Sequence, residues 1–161
     1  QGADKVSVNT AAVLNPSLIE EAANRYGSQC VVLSIDAKKV GDRYVVYTHG
    51  GRTPTDLDAI AWAIEGVRLG AGEIVMNAID TDGLKTGYDL DLIKQLTDVL
   101  NVPVIASGGA GEIHHFVDAA KVGADGILAA SVFHYGLITI DAVKAALLEA
   151  GIPARLERMI R

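Results

Sequence analysis

An α/β fold of strand–helix repeats is what this sequence predicts, on three observations. Short apolar runs alternate five times with segments of helical periodicity, the pattern of parallel strands joined by helical crossovers. A Gly-Ala phrase recurs ahead of a strand, at Gly2-Ala3, Gly70-Ala71 and Gly123-Ala124, where Gly suits a helix stop. Asn9, Asp36, Asp82, Ser107 and Ser131 fall at the carboxyl ends of successive strands, the rim where such folds place their ligand sites. Alternation alone leaves two architectures standing, an open doubly wound sheet and part of a (β/α)8 barrel.

Composition sets the outer bounds. The chain has 161 residues, half of them apolar and 21% charged, which fits one globular domain spanning residues 1–161. A net charge of −6 without a basic run argues against nucleic acid or an anionic membrane as partner. Cys30 is the single cysteine, so no disulfide forms within the chain and a reducing compartment fits. No stretch is long and apolar enough to span a bilayer and none resembles a signal peptide, which makes the cytoplasm the expected location.

The elements follow in order. Lys5-Val6-Ser7-Val8-Asn9 reads as a strand. Residues 1–4 look like the end of a helix-to-strand loop and no Met begins the chain, so a piece of a longer protein is expected. Asn15 suits an N-cap, Pro16 a first helical position and Gly27 a stop, with Leu18, Ile19, Ala22 and Ala23 on the buried side. Cys30 to Ile35 is an apolar run that reads as a strand buried on both faces. Val40 to Tyr47 reads as a hairpin turning at Gly41-Asp42. Gly50-Gly51-Arg52-Thr53-Pro54-Thr55 is either a lid or a connector.

A helix is expected from Asp56 to Leu69, with Leu57, Ile60, Ala61, Ile64 and Val67 inward and Trp62 at its edge. The strand Ile74–Ile79 runs into Asp80-Thr81-Asp82-Gly83. Asp89 caps a helix that buries Leu92, Ile93, Leu96, Val99 and Leu100. Pro103–Ala106 is a strand, Glu112–Val122 a helix, Gly126–Ala130 the last strand, and Ile140–Ala150 a helix stopped by Gly151. The basic tail from Ile152 to Arg161 has no assignable pattern.

Four groups of residues have chemical potential. The first is the pair of small-residue turns Ala106-Ser107-Gly108-Gly109-Ala110-Gly111 and Ala129-Ala130-Ser131-Val132-Phe133-His134. Small side chains let backbone N–H groups reach an anion, and a following helix start favours negative charge; the plain alternative is a tight connection. The second is Asp36, a carboxylate at the rim placed for acid/base duty, or else paired with Lys38 or Lys39 or capping a turn. The third is Asp80-Thr81-Asp82-Gly83, which lacks the other ligands of a calcium loop and so reads as a turn with one carboxylate facing the site. Neither a metal nor a cofactor is implied. His114 and His115 are read as surface or capping residues, and His134 as packing or a contact near the anion. The fourth is the opposite rim, where Lys5 and Glu73 each open a strand after a Gly-Ala phrase and Asp4 stands beside them.

These phrases together, Ile35-Asp36-Ala37-Lys38, Asp82-Gly83 with Lys85-Thr86-Gly87-Tyr88-Asp89, Ser107-Gly108-Gly109-Ala110-Gly111 with His115-Phe116, and Ala130-Ser131-Val132-Phe133-His134, closely resemble the cyclase subunit of imidazole glycerol phosphate synthase. The resemblance covers essentially the whole chain. It implies a partial (β/α)8 TIM barrel of about five βα units, lacking the first three. It implies ammonia-dependent conversion of phosphoribulosyl-formimino-AICAR-phosphate to imidazole glycerol phosphate and AICAR in histidine biosynthesis, and a glutaminase subunit as partner. On this resemblance Asp36 is one of two catalytic aspartates, the other lying on an absent strand. Asn9 and Thr10 hold one phosphate of the bisphosphate substrate. Ser107, Gly108, Gly109, Ala130 and Ser131 hold the other, and Asp82 and Gly83 line the site. Lys5 and Glu73 form half of a charged ring at the ammonia entrance, and Asp4 contacts the glutaminase.

Thr81 departs from the family pattern, where a basic residue is common, as does Asp56, where a small one is. Two alternatives remain: the related isomerase of the preceding pathway step, and a non-catalytic phosphate-binding half-barrel. The chain alone is expected to show no cyclase activity or a trace. Its open strand edges predict self-association unless the rest of a barrel covers them.

Overall fold

The computed structural model describes residues 2–155; the tail positions 156–161 lie outside the described residues. Five strands run parallel: β1 (Val6–Val8), β2 (Val31–Val40), β5 (Glu73–Ala78), β6 (Val104–Ser107) and β7 (Gly126–Leu128), paired in the order β1-β2-β5-β6-β7. An antiparallel pair, β3 (Arg43–Thr48) and β4 (Thr53–Asp58), completes a seven-stranded sheet. Helices α1 (Thr10–Leu14) and α2 (Ser17–Tyr26) follow β1, and α3 (Ala59–Arg68) follows the hairpin. Then α4 (Leu90–Val99) follows β5, α5 (Ile113–Lys121) follows β6, and α6 (Ser131–His134) with α7 (Ile140–Glu149) follows β7. The architecture is the predicted partial barrel, open among the described residues.

Register gives the sheet two distinct faces. Leu33, Ile74 and Val104 are aligned across three strands, as are Ile35, Met76 and Ala106. All six are buried and face the helices. The intervening rows are Ser34-Val75-Ile105-Gly126 and Asp36-Asn77-Ser107-Leu128. This second face is half-buried along β5 and β6, so burial on both faces holds for β2 more than for its neighbours.

Several boundaries differ from the sequence expectation. The second strand does not stop at Ile35: it runs to Val40, because its outer half leaves the parallel sheet and pairs with β3 from Asp36↔Tyr47 to Val40↔Arg43. The turn at Gly41-Asp42 is as expected. The Gly50–Thr55 segment connects β3 to β4 as a hairpin turn whose second half is the start of β4, with Thr48 opposite Thr53. That strand takes residues 56–58 from the expected helix, which starts at Ala59 behind Asp58, whose side chain accepts the Ala61 amide at 3.0 Å. The buried residues of α3 are Ala59, Trp62, Ala63 and Gly66, with the expected Ile60 and Val67 packed against the same core; Ile64 is exposed and Trp62 lies in the core, not at the edge. Asn15 is not the N-cap of α2, since Pro16 holds that position; Asn15 is instead the C-cap of α1, and its side-chain oxygen accepts the Ser17 hydroxyl at 2.8 Å. Asp89 caps α4 as expected through the Leu92 amide at 3.0 Å, and Val99 lies exposed beyond its buried face.

Candidate functional site

Asp36 occupies the last row that crosses β2, β5, β6 and β7, beside Asn77 and in line with Ser107 and Leu128. Parallel pairing sends these side chains to one face. The carboxylate is 8% exposed. Its oxygens accept one amide each, Asn9 Nδ2 on Oδ2 and Asn77 Nδ2 on Oδ1, both at 3.0 Å. Neither lysine reaches it. Lys38 and Lys39 lie on the hairpin extension, where Lys38 Nζ stands 3.9 Å from Asp80 and Lys39 Nζ 3.5 Å from Asp91. An ionised carboxylate oxygen has a second acceptor position, so Asp36 retains capacity for a substrate proton or donor.

A cleft of about 380 Å³ opens in front of this row. Asp36, Ser34, Asn77 and Ser107 form its floor. The turn from Gly108 to Ala110 forms one wall and the stretch from Leu128 to Ser131 another. Asp82 and Gly83 are exposed at its mouth. Gly108 and Gly109 have φ of +89° and +113°. A Cβ on Gly108 would lie 2.6 Å from the Ala78 carbonyl oxygen, and one on Gly109 only 2.1 Å from that of Gly87. Both conformation and space therefore demand glycine. The Gly109 and Ala110 amides donate to no acceptor among the described residues. Buried backbone N–H groups are nearly always paired, so an open pair at a cleft wall can serve an anion.

The first turn of α5 contributes less than the sequence suggests. His115 Nδ1 accepts the amides of both Gly111 and the N-cap Glu112 at 3.1 Å, so N–H groups at the entry to the helix are already taken. His115 is thus a cap, as expected, and it buttresses the glycine turn. His114 and His134 are exposed.

The site residues read from sequence fall into three places. Asp36, Asp82, Gly83, Ser107, Gly108, Gly109, Ala130 and Ser131 share the cleft. Asn9 and Thr10 are not among its walls. Asn9 reaches Asp36 from β1, and Thr10 Oγ1 accepts the His49 amide at 2.9 Å. At the opposite rim Lys5 Nζ meets Glu73 Oε2 at 2.5 Å across β2, with Asp4 exposed nearby. Sequence reasoning missed Asn77, whose only signal was an amide side chain in a strand otherwise apolar, and Ser34, which carried none.

Comparison with known proteins gives the family. The family model described as "Histidine biosynthesis protein" matches residues 1–139. The imidazole glycerol phosphate synthase subunit HisF of Myxococcus xanthus is 56% identical over 155 residues, covering 96% of this chain and 61% of that protein. HisF of Frankia casuarinae is 53% identical over 158 residues, covering 96% of this chain and 62% of its own length. The chain thus spans about three-fifths of the curated relatives it matches. With identity above half across nearly the whole chain, and the family model covering all five parallel strands, this chain belongs to the histidine biosynthesis protein family.

Proposed function

We propose that this chain provides the carboxyl-terminal part of an imidazole glycerol phosphate synthase cyclase, a lyase-type enzyme. It converts phosphoribulosyl-formimino-AICAR-phosphate and ammonia to imidazole glycerol phosphate and AICAR. The observation that carries the reading is one cleft shared by a buried carboxylate, Asp36, and the amides of Gly109 and Ala110, which find no acceptor among the described residues. Asp36 serves as one acid/base group of the ring closure, oriented by Asn9 and Asn77. Ser107, Gly108, Gly109, Ala130 and Ser131 hold one phosphate, Asp82 and Gly83 contact the substrate at the mouth, and Asn9 with Thr10 serves the second phosphate.

At the other rim Lys5 and Glu73 guard the ammonia entrance and Asp4 meets a glutaminase subunit. The enzyme works in the cytoplasm; no helix of the described residues is long and apolar enough to cross a membrane. The outer edges of β1 and β7 take the remaining strands of the barrel or, without them, a second copy.

The test is turnover with ammonium salts and the bisphosphate substrate, with and without a polypeptide equivalent to the first βα units of a HisF relative. Ammonia-dependent product in the mixture and at most a trace from the chain alone is the expected result. No product from a mixture that demonstrably associates would overturn the reading. Isomerisation of the preceding pathway intermediate by the same mixture would move the assignment to the related isomerase.

A further inference from the structure

The glycine turn is not held by its own residues. Its backing is the loop from Asp80 to Asp89, which meets it at two consecutive carbonyls. The Gly87 N–H donates to the Gly109 oxygen at 2.9 Å. The Thr81 hydroxyl stands 3.1 Å from the Gly108 oxygen and also 3.1 Å from that of Ala78. One proton cannot serve both equally, and the competition has a clear outcome. The Ala78 oxygen already accepts the amides of Thr81 at 3.3 Å and Asp82 at 3.1 Å, which occupies its two lone pairs. The Gly108 oxygen has no other donor among the described residues. The hydroxyl proton therefore belongs to Gly108.

Peptide planarity turns this bond into a statement about the cleft. In a trans peptide the C=O of one residue and the N–H of the next point in opposite directions. Fixing the Gly108 carbonyl against Thr81 turns the Gly109 amide away from the loop. Fixing the Gly109 carbonyl against Gly87 does the same for the Ala110 amide. Both amides belong to buried residues that line the cleft, and neither finds an acceptor among the described residues. Glycines leave a turn free to rotate its peptides, so something outside the turn must choose this orientation. Gly87 supplies half of that choice from backbone. Thr81 supplies the other half from a side chain, and a side chain can be tested by substitution.

We infer that Thr81 is a positioning residue of the anion site: its hydroxyl holds the Gly108 carbonyl and so aims the Gly109 amide at the bound anion. This rests on the phosphate reading of the cleft. It assigns a role to a residue of the Asp80–Gly83 turn that touches neither substrate nor reacting atoms.

Sulfate is the probe, because its charge does not change across the neutral range. The 161-residue chain, labelled with ¹⁵N, is titrated at fixed pH and ionic strength as wild type, Thr81→Val and Thr81→Ser. Sulfate is expected to shift the Gly109 and Ala110 amide signals of the wild type. Thr81→Val keeps the shape and removes the hydroxyl; it should weaken binding about 3- to 10-fold, the worth of one hydrogen bond. Thr81→Ser restores the hydroxyl and should bind within about twofold of wild type. Thr81→Ala, which removes the same hydroxyl without a branched replacement, is read in the same way where Thr81→Val fails to fold. A hydroxyl-free variant that binds as tightly as wild type overturns the role of Thr81 and leaves the anion site standing. Thr81→Ser as weak as the hydroxyl-free variants also overturns it. A wild type with no shift at Gly109 or Ala110 removes the anion site itself, and this inference with it.

Discussion

The two rims of the sheet are made by the same strands and use opposite means of order. At the carboxyl rim Asp36 is buried, each of its oxygens accepts a neutral amide, and the neighbouring wall is bare backbone. At the amino rim Lys5 and Glu73 form an ion pair, with the lysine side chain 51% exposed and the glutamate 16%. Desolvated dipoles fixed by packing act strongly and insensitively to salt. Exposed ion pairs act weakly and are screened. The proposed chemistry falls where the loops shrink to Gly, Ala and Ser. The charged rim suits adjustable contact with a partner or a small neutral molecule.

The strongest way to break this contrast is to remove the carboxylate. Asp36→Asn places an amide N–H against a donor that Asp36 now accepts, from Asn9 or Asn77. Ammonium-driven turnover of the complemented chain should fall by roughly 10²–10⁴, read by product formation. Folding stability should fall by about 1–3 kcal/mol, read by denaturant unfolding. Unchanged turnover would take the chemistry away from this rim.

Next in size is Gly109→Ala. Its Cβ would sit 2.1 Å from the Gly87 oxygen at a φ of +113°, so the turn must move. A loss on the order of 2–3 kcal/mol in stability should accompany loss of sulfate shifts at neighbouring amides. Retained binding would show that the wall is not built by close backbone approach.

How much of this could be read from the sequence differs by residue. The five strands, the Asp89 cap and the glycine turn were legible because each has a local cause: apolar runs, a capping carboxylate, residues with no Cβ. The Lys5–Glu73 pair was legible as a possibility, since two Gly-Ala phrases gave the strands the same phase. The β4 strand was not, because Thr53-Pro54-Thr55-Asp56-Leu57-Asp58 has little apolar pattern and exists by pairing with β3. That non-local event displaced the start of α3. Asn77 and Thr81 escaped for the same kind of reason: each acts across strands or loops distant in sequence, on Asp36 and on Gly108.

A smaller effect lies at the hairpin, whose Tyr44 hydroxyl lies 2.9 Å from both oxygens of Asp89 and ties β3 to the α4 cap. Burial, reinforced by the hydrogen bond to Asp89 and by the charges of Asp89 and Asp91, pushes the Tyr44 phenol well above its ordinary value. A raised acid pKa in the folded state means the stabilisation is fully present below the unfolded phenol value of about 10 and is lost as pH climbs beyond it. Tyr44→Phe should therefore cost about 1 kcal/mol at neutral pH, and the gap to wild type should narrow above pH 10. Burial raises the Tyr88 phenol too, so both proteins retain some alkaline loss. A gap that stays constant to high pH would show that Tyr44 is not the titrating tie.

The weakest expected effect is the most discriminating for the comparison of rims. In a double-mutant cycle of Lys5→Ala and Glu73→Ala, the coupling should be about 0.2–1 kcal/mol at low salt, read from denaturant midpoints. It should shrink towards zero near 1 M salt, where the screening length is about 3 Å. Both signs matter. The two side chains are in direct contact, yet the half-exposed lysine exchanges that contact for water at little cost. A coupling above about 2 kcal/mol that survives salt would mean the amino rim is as desolvated as the Asp36 row. The two ends of the sheet would then differ in charge alone, and the placing of chemistry at the glycine-walled end would need another cause.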